Sequence, residues 1–458
     1  GQDGKDGTAY TLRFESIGFP FSDAEKEDVQ ATTTAWVNGE EITIGYHTIL
    51  RPGEDLGGQT FGAVYDVNGN AVTDADGNPY ISDDPDFSSI IELDDGSLWS
   101  VTHFENGPGA MYLTELSQDS TTGELTAVST APIDMGPVDG LYTPCAGSVS
   151  PWNTHIGGEE YPSDARNFED ATTWSEVDGY LTPWFRVYGF DIYTDADEDD
   201  VPDAIDLEEL QTDYHVYRMG YVNEVTIDGT AKTASIAKHY GMGRNSVELA
   251  YVMPDEKTVY ITDDDANVGL FMFVADTAGD LSAGNLFVAK FYQMTDDGMG
   301  TFDIEWIDMG HATDTEVKAL IDSNTRFYDI FDTATPDPED IEDPCPSGYT
   351  PTNTRMYQGS DVRGLECLSL RSGMEVAASR LETERYAAYL GGSMELRKEE
   401  GITYDPDRNR LYLAISEIER GMEDWGQSGY DYDLYDIGGS NDIRLEYNNC
   451  GGVYALDL

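Results

Sequence analysis

The chain has 458 residues, and its 89 acidic side chains against 25 lysines and arginines give a formal net charge of −64. Such a surface repels phosphate backbones and anionic lipid, so the composition argues against nucleic-acid or membrane-surface binding and favours cations as partners. With 39% hydrophobic residues, a chain of this length can bury a large core. The acidity also suits solubility in a salty medium, and both interpretations can hold.

The start of the chain has glycine at every third position, from Gly1 to Gly7. We expect residues 1–8 to be a flexible tether and 9–458 to form one folded domain. No run of 18 apolar residues occurs, so the sequence predicts no transmembrane helix. We expect an exported protein that is periplasmic, extracellular or anchored to the cell surface by lipid. Cys345 and Cys367 flank a loop that is compatible with a disulfide bond outside the cytosol.

Most of the sequence predicts short strands between Gly, Asp, Asn and Pro turns. These patterns occur at 9–14, 42–49, 97–104, 110–115, 216–225, 258–262, 270–275, 286–293 and 410–415. The main helical pattern covers 376–390 and is followed by Gly391 and Gly392, a stop signal for a helix. The sequence therefore predicts an all-β fold with a few short helices.

One pattern of strand, acidic turn and second strand recurs at 91–101, 251–264 and 404–414. Hairpins of this kind are typical of β-propeller blades. Because the copies lie far apart in the chain, the blades would carry long insertions. We predict a β-propeller, with a pair of β-sandwiches as the alternative.

An acidic loop at 195–206 has calcium-binding spacing. Carboxylates occupy its positions 1, 3, 5, 9 and 12, which are Asp195, Asp197, Asp199, Asp203 and Asp206. That spacing can wrap oxygen ligands around one Ca²⁺, as in EF-hand loops. We predict a structural calcium site here, and a disordered acidic loop is the alternative.

A second candidate segment runs from Cys145 through His155 to the adjacent Glu159 and Glu160. Thiolate is a soft ligand suited to Fe or Zn and carboxylate is a hard one, so together they could hold a mixed metal cluster. Taken singly, Cys145 has the alternative of a small buried hydrophobe, His155 that of a structural hydrogen-bonded residue, and the glutamates that of solvated surface acids.

Further acidic residues stand near the ends of the predicted hairpin strands. They are Glu105, Glu248, Asp263, Asp264 and Glu400. If the hairpins are propeller blades, these carboxylates would converge on the central channel, where cations would be needed to hold them together. For any one of them the alternative is an unrelated surface acid.

The ordered runs 144–147, 151–155, 159–160, 242–244, 248, 260–264, 381–388 and 398–404 carry a resemblance to a known family. With them the sequence resembles the PhoX family of bacterial alkaline phosphatases, over roughly residues 42 to 422. The resemblance implies a six-bladed β-propeller, exported from the cytoplasm, with Fe³⁺ and Ca²⁺ in its channel. It also implies hydrolysis of small phosphomonoesters.

The same resemblance implies roles for individual residues. Cys145 would be the iron-binding thiolate, and the carboxylate ligands would be Glu105, Glu159, Glu160, Glu248, Asp263, Asp264 and Glu400. Arg244 and Lys398 would face the phosphoryl group of the substrate. Bound cations would reverse the sign of an acidic channel that otherwise repels an anionic ester. Because the family usually continues with more propeller, we expect the chain to lack a C-terminal segment.

The competing hypothesis is a catalytically silent, calcium-stabilised propeller that serves as a cell-surface or assembly component. Val247, which stands where family members commonly have His, favours this hypothesis, as does the acidic loop at 195–206. The two hypotheses differ at Cys145, because only the phosphatase needs it as a ligand.

Overall fold

The computed structural model describes residues 11–22, 25, 31–177, 179, 181–192, 206–337, 340, 343–356, 364–424 and 438–458. The described residues are mostly β-structure arranged in several antiparallel sheets, as predicted. They group into two compact units. The smaller contains described residues up to Arg51 together with 117–127, and the larger contains 52–116 and the described residues from Val128 onward.

The smaller unit contains a three-stranded antiparallel sheet. Its strands are β1 (Leu12–Phe14), β2 (Thr34–Val37) and β3 (Glu40–Thr43). The strand predicted at 42–49 therefore ends at Thr43, and the residues after it are not in a strand.

The larger unit starts with a short hairpin of β4 (Asp55–Leu56) and β5 (Gln59–Thr60). Sheet I follows. It has four consecutive strands, which are β6 (Pro85–Glu92), β7 (Leu98–Phe104), β8 (Ala110–Gln118) and β9 (Leu125–Pro132).

Sheet II also has four consecutive strands. They are β10 (Pro144–Val149), β11 (His155–Glu159), β12 (Asn223–Asp228) and β13 (Thr233–Lys238). The insertion between β11 and β12 contains the helices α1 (Ala165–Asp170), α2 (Leu181–Trp184) and α3 (Leu207–Asp213). The strand predicted at 216–225 was wrong in its first part, because Val216–Arg218 forms a 3-10 turn and β12 begins only at Asn223.

The predicted calcium loop lies in the same insertion. Asp195, Asp197, Asp199 and Asp203 lie outside the described residues, so the calcium site stays a prediction. Asp206 is described as the N-cap of α3, where its side chain accepts hydrogen bonds from the backbone N–H groups of Glu208 and Glu209 at 2.9 and 3.2 Å. An N-cap carboxylate satisfies helix donors that would otherwise have no partner.

Sheet III has five strands. They are β14 (Val247–Val252), β15 (Thr258–Asp263), β17 (Phe271–Thr277), β18 (Asp280–Thr295) and β19 (Thr301–Thr313). Between them, β16 (Ala266–Val268) leaves the sheet and pairs with a two-residue strand at Leu396–Arg397.

After sheet III come α4 (Asp314–Asp322), α5 (Phe327–Ile330) and sheet IV. The strands of sheet IV are β20 (Phe331–Ala334), β21 (Thr350–Asn353) and β22 (Leu365–Leu370), with β22 in the middle. The predicted disulfide between Cys345 and Cys367 is present.

The last part of the chain has two helices and one more sheet. The helix predicted at 376–390 is divided at Glu382 into α6 (Glu375–Leu381) and α7 (Thr383–Leu390), and α7 ends at Gly391 as predicted. Sheet V follows the short strand β23 (Leu396–Arg397). Its strands are β24 (Glu399–Asp405), β25 (Arg410–Ile415) and β26 (Gly452–Asp457).

Four antiparallel hairpins position the candidate site. Hairpin A is β6–β7, hairpin B is β10–β11, hairpin C is β14–β15 and hairpin D is β24–β25. The three predicted copies of the strand–turn–strand pattern are hairpins A, C and D. The first strands of the four hairpins are neighbours in succession, since β6 contacts β10, β10 contacts β14 and β14 contacts β24.

Apolar clusters join neighbouring sheets. One cluster contains Trp99 and Met111 of sheet I together with Val225 of sheet II. Another contains Leu249 of sheet III and Leu413 of sheet V. Burying the facing sides of successive sheets in this way fixes their order by the hydrophobic effect. None of the helices in the described parts of the chain is both long and apolar enough to cross a membrane.

Candidate metal centre

The first strand of every hairpin has a β-bulge near its start. In hairpins A, B and C the first strand advances three residues while its partner advances two, and in hairpin D it advances two against one. A bulge bends the strand and redirects a side chain. The residues that follow the first paired position are Asp86, Cys145, Glu248 and Glu400, which we call the bulge positions.

The second strand of every hairpin ends next to its bulge. The residue directly after β7, β11, β15 and β25 is Glu105, Glu160, Asp264 and Ser416 in turn, and we call these the exit positions. Each hairpin thus supplies one bulge position and one exit position. The eight side chains are six carboxylates, one thiol and one hydroxyl.

Cys145 lies where the contributions of hairpins A, B and C meet. Its thiol donates a hydrogen bond to Asp86 Oδ2 at 3.0 Å, and Sγ lies 3.7 Å from Glu248 Oε1. One group of potential ligand atoms within 4.8 Å of one another comes from Asp86, Glu105 and Cys145, and a second comes from Cys145, Glu160 and Glu248. The thiol therefore belongs to both groups.

The electrostatics of this cluster disfavour negative charge. Burial, reinforced by the neighbouring Glu248, raises the pKa of the Glu160 carboxyl, and burial raises the pKa of Glu248 to about 7. Burial also raises the pKa of the Cys145 thiol, with a further contribution from Glu160. Glu160 Oε1 is buried without a hydrogen-bond partner among the described residues. Crowded acids with an unused buried oxygen are what a cation would stabilise.

The donor set fits the metals expected from the sequence. A thiolate suits iron, and carboxylate oxygens suit both iron and calcium. The bulge and exit positions could therefore hold iron and calcium, with Cys145 as the soft donor.

Lys398 is the cation that contacts the hairpin C and D side of the cluster. Its Nζ lies 3.0 and 2.9 Å from the two carboxylate oxygens of Asp264 and 3.5 Å from Glu400 Oε1. The Tyr161 hydroxyl donates to Asp264, and the Ser416 hydroxyl donates to Glu400. The Lys398 side chain is 29% exposed, so its ammonium group is accessible from solvent.

Arg244 lies elsewhere. Its side chain is fully buried, and its guanidinium donates to the backbone carbonyls of Met219 and Ser163 at 2.9 and 2.6 Å. These contacts tie the segment before hairpin C to the insertion after β11. The predicted contact of Arg244 with substrate stays a prediction that its described surroundings do not support.

Glu159 and Asp263 are also separate from the Cys145 cluster. Glu159 is buried, forms an ion pair of 2.9 Å with Lys238 and accepts from the backbone N–H groups of Tyr142 and Gly220. Adjacent residues of an extended segment face opposite sides. Glu159, at the end of β11, therefore faces the interior, whereas Glu160, directly after it, faces the cluster. Asp263 is fully buried before Asp264, and its Oδ1 accepts from the Ser246 N–H. The geometry does not bring either carboxylate to Cys145.

Two residues of the cluster were not predicted from the sequence. Asp86 is the bulge position of hairpin A, and Ser416 is the exit position of hairpin D. A local signal for Asp86 exists, because Pro85 precedes it as Pro144 precedes Cys145. Ser416 carries no comparable signal, since the other exit positions are acidic.

Comparison with known proteins identifies the family of the chain. A family model described as alkaline phosphatase PhoX matches residues 126–454. The chain therefore belongs to the PhoX family. No curated protein sequence matches it.

Two solved structures were matched, and one of them is similar in fold. One is Pseudomonas fluorescens PhoX in complex with vanadate, a transition state analogue, with a TM-score of 0.52 and 15% identity over 89% of this chain and 69% of that chain. The other is a putative 6-phosphogluconolactonase from Bacteroides uniformis, with 13% identity over 80% of this chain and 87% of that chain. Its TM-score of 0.21 is too low to indicate a shared fold.

Proposed function

We propose that this chain is an exported, metal-dependent phosphatase of small phosphomonoesters, with an iron–calcium centre at the bulge and exit positions. The observation that carries the proposal is the place of Cys145 in two groups of ligand atoms, in a chain of the PhoX family. Cys145 would supply the soft donor for Fe³⁺, and the surrounding carboxylates would supply hard donors for Fe³⁺ and Ca²⁺.

We also propose that the sheets close into a six-bladed propeller. The succession of contacts from β6 to β10, β14 and β24 supports this arrangement, because first strands that follow one another around a centre are typical of propeller blades. Repeated bulge and exit positions are what blades of one kind would place around a channel.

The residues of the chain divide the work of binding an ester. When bound, the metals would supply the positive charge that attracts the phosphate and stabilises the charge that develops during its transfer. Glu160 and Glu248, which are buried within the protein, would hold that centre in place. Lys398, partly exposed beside Asp264, can donate a hydrogen bond to an ester oxygen and orient the substrate. The vanadate bound by Pseudomonas fluorescens PhoX supports a phosphoryl substrate here too.

Export is supported by two features of the chain. The disulfide between Cys345 and Cys367 forms most readily in an oxidising compartment. The net charge of −64 suits solubility in a salty medium.

The test combines metal counting with kinetics. Protein purified without chelators should contain near-stoichiometric iron and several calcium ions per chain, and it should hydrolyse 4-nitrophenyl phosphate. Cys145→Ser should lose iron and activity, whereas Glu305→Gln, which changes an exposed carboxylate of β19, should keep both.

Two results would contradict the proposal. Full activity of Cys145→Ser would show that Cys145 is not the iron ligand. Calcium without iron, together with no hydrolysis by the unmodified chain, would favour the silent calcium-stabilised propeller.

A further inference from the structure

Two fully buried histidines lie directly behind Cys145. His103 Nε2 and His155 Nε2 are 2.6 Å apart, and both side chains are 0% exposed. His103 Nδ1 lies 2.6 Å from the Cys145 carbonyl oxygen, and His155 Nδ1 lies 2.9 Å from the Ser89 hydroxyl. The four groups form one continuous chain of hydrogen bonds.

This hydrogen-bond chain crosses between two sheets three times. Ser89 and His103 belong to sheet I, whereas His155 and Cys145 belong to sheet II. Each hydrogen bond therefore links hairpin A to hairpin B. These are the hairpins that carry Asp86 and Cys145. The hydrogen-bond chain therefore fixes the relative position of two residues of the candidate metal centre.

The Cys145 carbonyl, at one end of the hydrogen-bond chain, determines the direction of every hydrogen bond in it. A carbonyl oxygen can only accept, so His103 Nδ1 must carry the proton. Because complete burial favours an uncharged ring, His103 Nε2 is then an acceptor, and His155 Nε2 must donate to it. His155 Nδ1 is left as an acceptor, and the Ser89 hydroxyl donates to it.

Close packing leaves the rings little freedom. A Cβ atom added at Gly157 would lie 2.7 Å from His103 Cε1 and 2.8 Å from its Nε2, so only glycine lets strand β11 approach this ring. The Phe87 ring lies 6.0 and 5.8 Å from the rings of His103 and His155. The bulge of hairpin B at Cys145 removes that residue from the regular ladder, where a strand partner would otherwise hold its carbonyl.

We propose that Ser89, His155 and His103 form a hydrogen-bond chain that positions Cys145 by holding its carbonyl. The three are positioning residues, since they act on the thiol through the backbone of Cys145. This proposal rests on the proposed function, because the metal centre at Cys145 is what the hydrogen-bond chain would serve. The proton order itself does not depend on any bound metal.

The first test reads the proton positions directly. Long-range ¹H–¹⁵N NMR of the whole chain, labelled at histidine, should show His103 protonated at Nδ1 and His155 protonated at Nε2. Both assignments should persist after treatment with a chelator. A His103 ring without a proton at Nδ1 would overturn the proposal, because no donor would then face the Cys145 carbonyl.

The second test measures the position of the thiol. In a Cys450→Ser background, Cys145 is the only free cysteine among the described residues, so its alkylation by a maleimide in chelator can be followed alone. His103→Leu removes the donor to the Cys145 carbonyl and should change the alkylation rate about tenfold. The matched variant His215→Leu removes another buried histidine that makes no described contact with Cys145, and it should leave the rate unchanged. Equal rates in the two variants would overturn the proposal.

The third test concerns the metal. Fe³⁺ supplied as its citrate complex to the chelator-treated chain should bind about tenfold more weakly to His103→Leu than to His215→Leu, as expected when a residue that orients a ligand is lost. His103→Gln, whose amide can still donate, should recover part of the loss. If the unmodified chain binds no metal, the proposed function fails, while the NMR and alkylation results still decide the hydrogen-bond chain. The NMR test uses the unmodified chain, so it remains decisive even if His103→Leu does not fold.

Discussion

Cys145 and Glu248 occupy the same structural position in neighbouring hairpins, and their side chains meet with Sγ 3.7 Å from Oε1. Both residues follow the first paired position of a first strand that carries one extra residue. The candidate centre is thus built by repeating one backbone irregularity rather than by a single motif. Asp86 and Glu400 repeat it in hairpins A and D, which makes the role of Asp86 directly testable.

Asp86→Asn should weaken cation binding about tenfold or more while leaving folding intact. Asp86 is exposed and its carboxylate lies 3.0 Å from the Cys145 thiol, so the change removes a charge at the centre without creating a cavity. Calorimetric titration of calcium into the chelator-treated chain measures the effect. The matched control is Asp94→Asn, which changes an exposed aspartate in the turn of the same hairpin, and equal affinities in both variants would exclude Asp86 as a calcium ligand.

The adjacent residues Glu159 and Glu160 should respond in opposite ways to the same substitution. Glu159→Gln leaves the buried Lys238 ammonium without its counter-charge, which should cost about 3 kcal/mol of unfolding free energy. Glu160→Gln instead relieves crowding among acids, so the metal-free chain should be as stable as the unmodified chain or more stable. Urea unfolding in chelator measures both values. A larger loss for Glu160→Gln would contradict the assignment of the two faces.

Hairpins A, C and D could be predicted from the sequence, because alternating strand patterns and acidic turns are local signals. The candidate ligands at the bulge and exit positions came from the resemblance to the PhoX family, and their role as ligands stays a prediction. Asp86 was missed although a proline precedes it, because a bulge depends on how two strands pair, and the pairing register cannot be read from one strand. Ser416 was missed because its hydroxyl differs from the carboxylates at the other exit positions. The sequence also could not tell Glu159 from Glu160. Which of two neighbouring acids faces the core depends on where a buried lysine lies, and Lys238 comes from strand β13, far along the chain.

Arg385→Met should destabilise the protein by about 3–5 kcal/mol. The Arg385 side chain is fully buried and bonds the carboxylates of Asp164, Glu366 and Glu382 at 2.9, 2.6 and 2.7 Å. Removing the guanidinium takes the buried counter-charge away from Asp164 and Glu382, while Glu366 keeps its ion pair with Arg166 at 2.8 Å. The control is Arg371→Met, whose ion pair with Asp332 is exposed and should cost less than about 1 kcal/mol. Similar losses in the two variants would show that the buried network contributes little.

His239 should make stability depend on alkaline pH. Burial opposes its charge, but hydrogen bonds to Asp314 and Glu224 outweigh that effect and raise the pKa of His239 to about 9. A raised pKa in the folded state means that the stabilisation is complete below the ordinary value near 6.5 and is lost as pH rises through about 9. The full effect is roughly 3 kcal/mol.

The measurement for His239 is the difference in unfolding free energy between the unmodified chain and His239→Gln. That difference should be largest near pH 6, where the His239 ring is a charged imidazolium. It should shrink towards pH 10, where the ring is neutral. A difference that stays constant over this range would mean that the ring is not charged in the folded protein.

Salt should stabilise the chain even when all divalent metal has been removed. With 89 acidic residues against 25 basic ones, the folded surface concentrates like charges that the unfolded chain can spread apart. Screening shortens the range of this repulsion from about 30 Å at 0.01 M salt to about 3 Å at 1 M. The melting temperature in chelator should therefore rise by several degrees between low and molar sodium chloride. Sucrose of equal osmolality should raise it less if screening is the cause, and an equal rise in both would point instead to a general effect of excluded solutes.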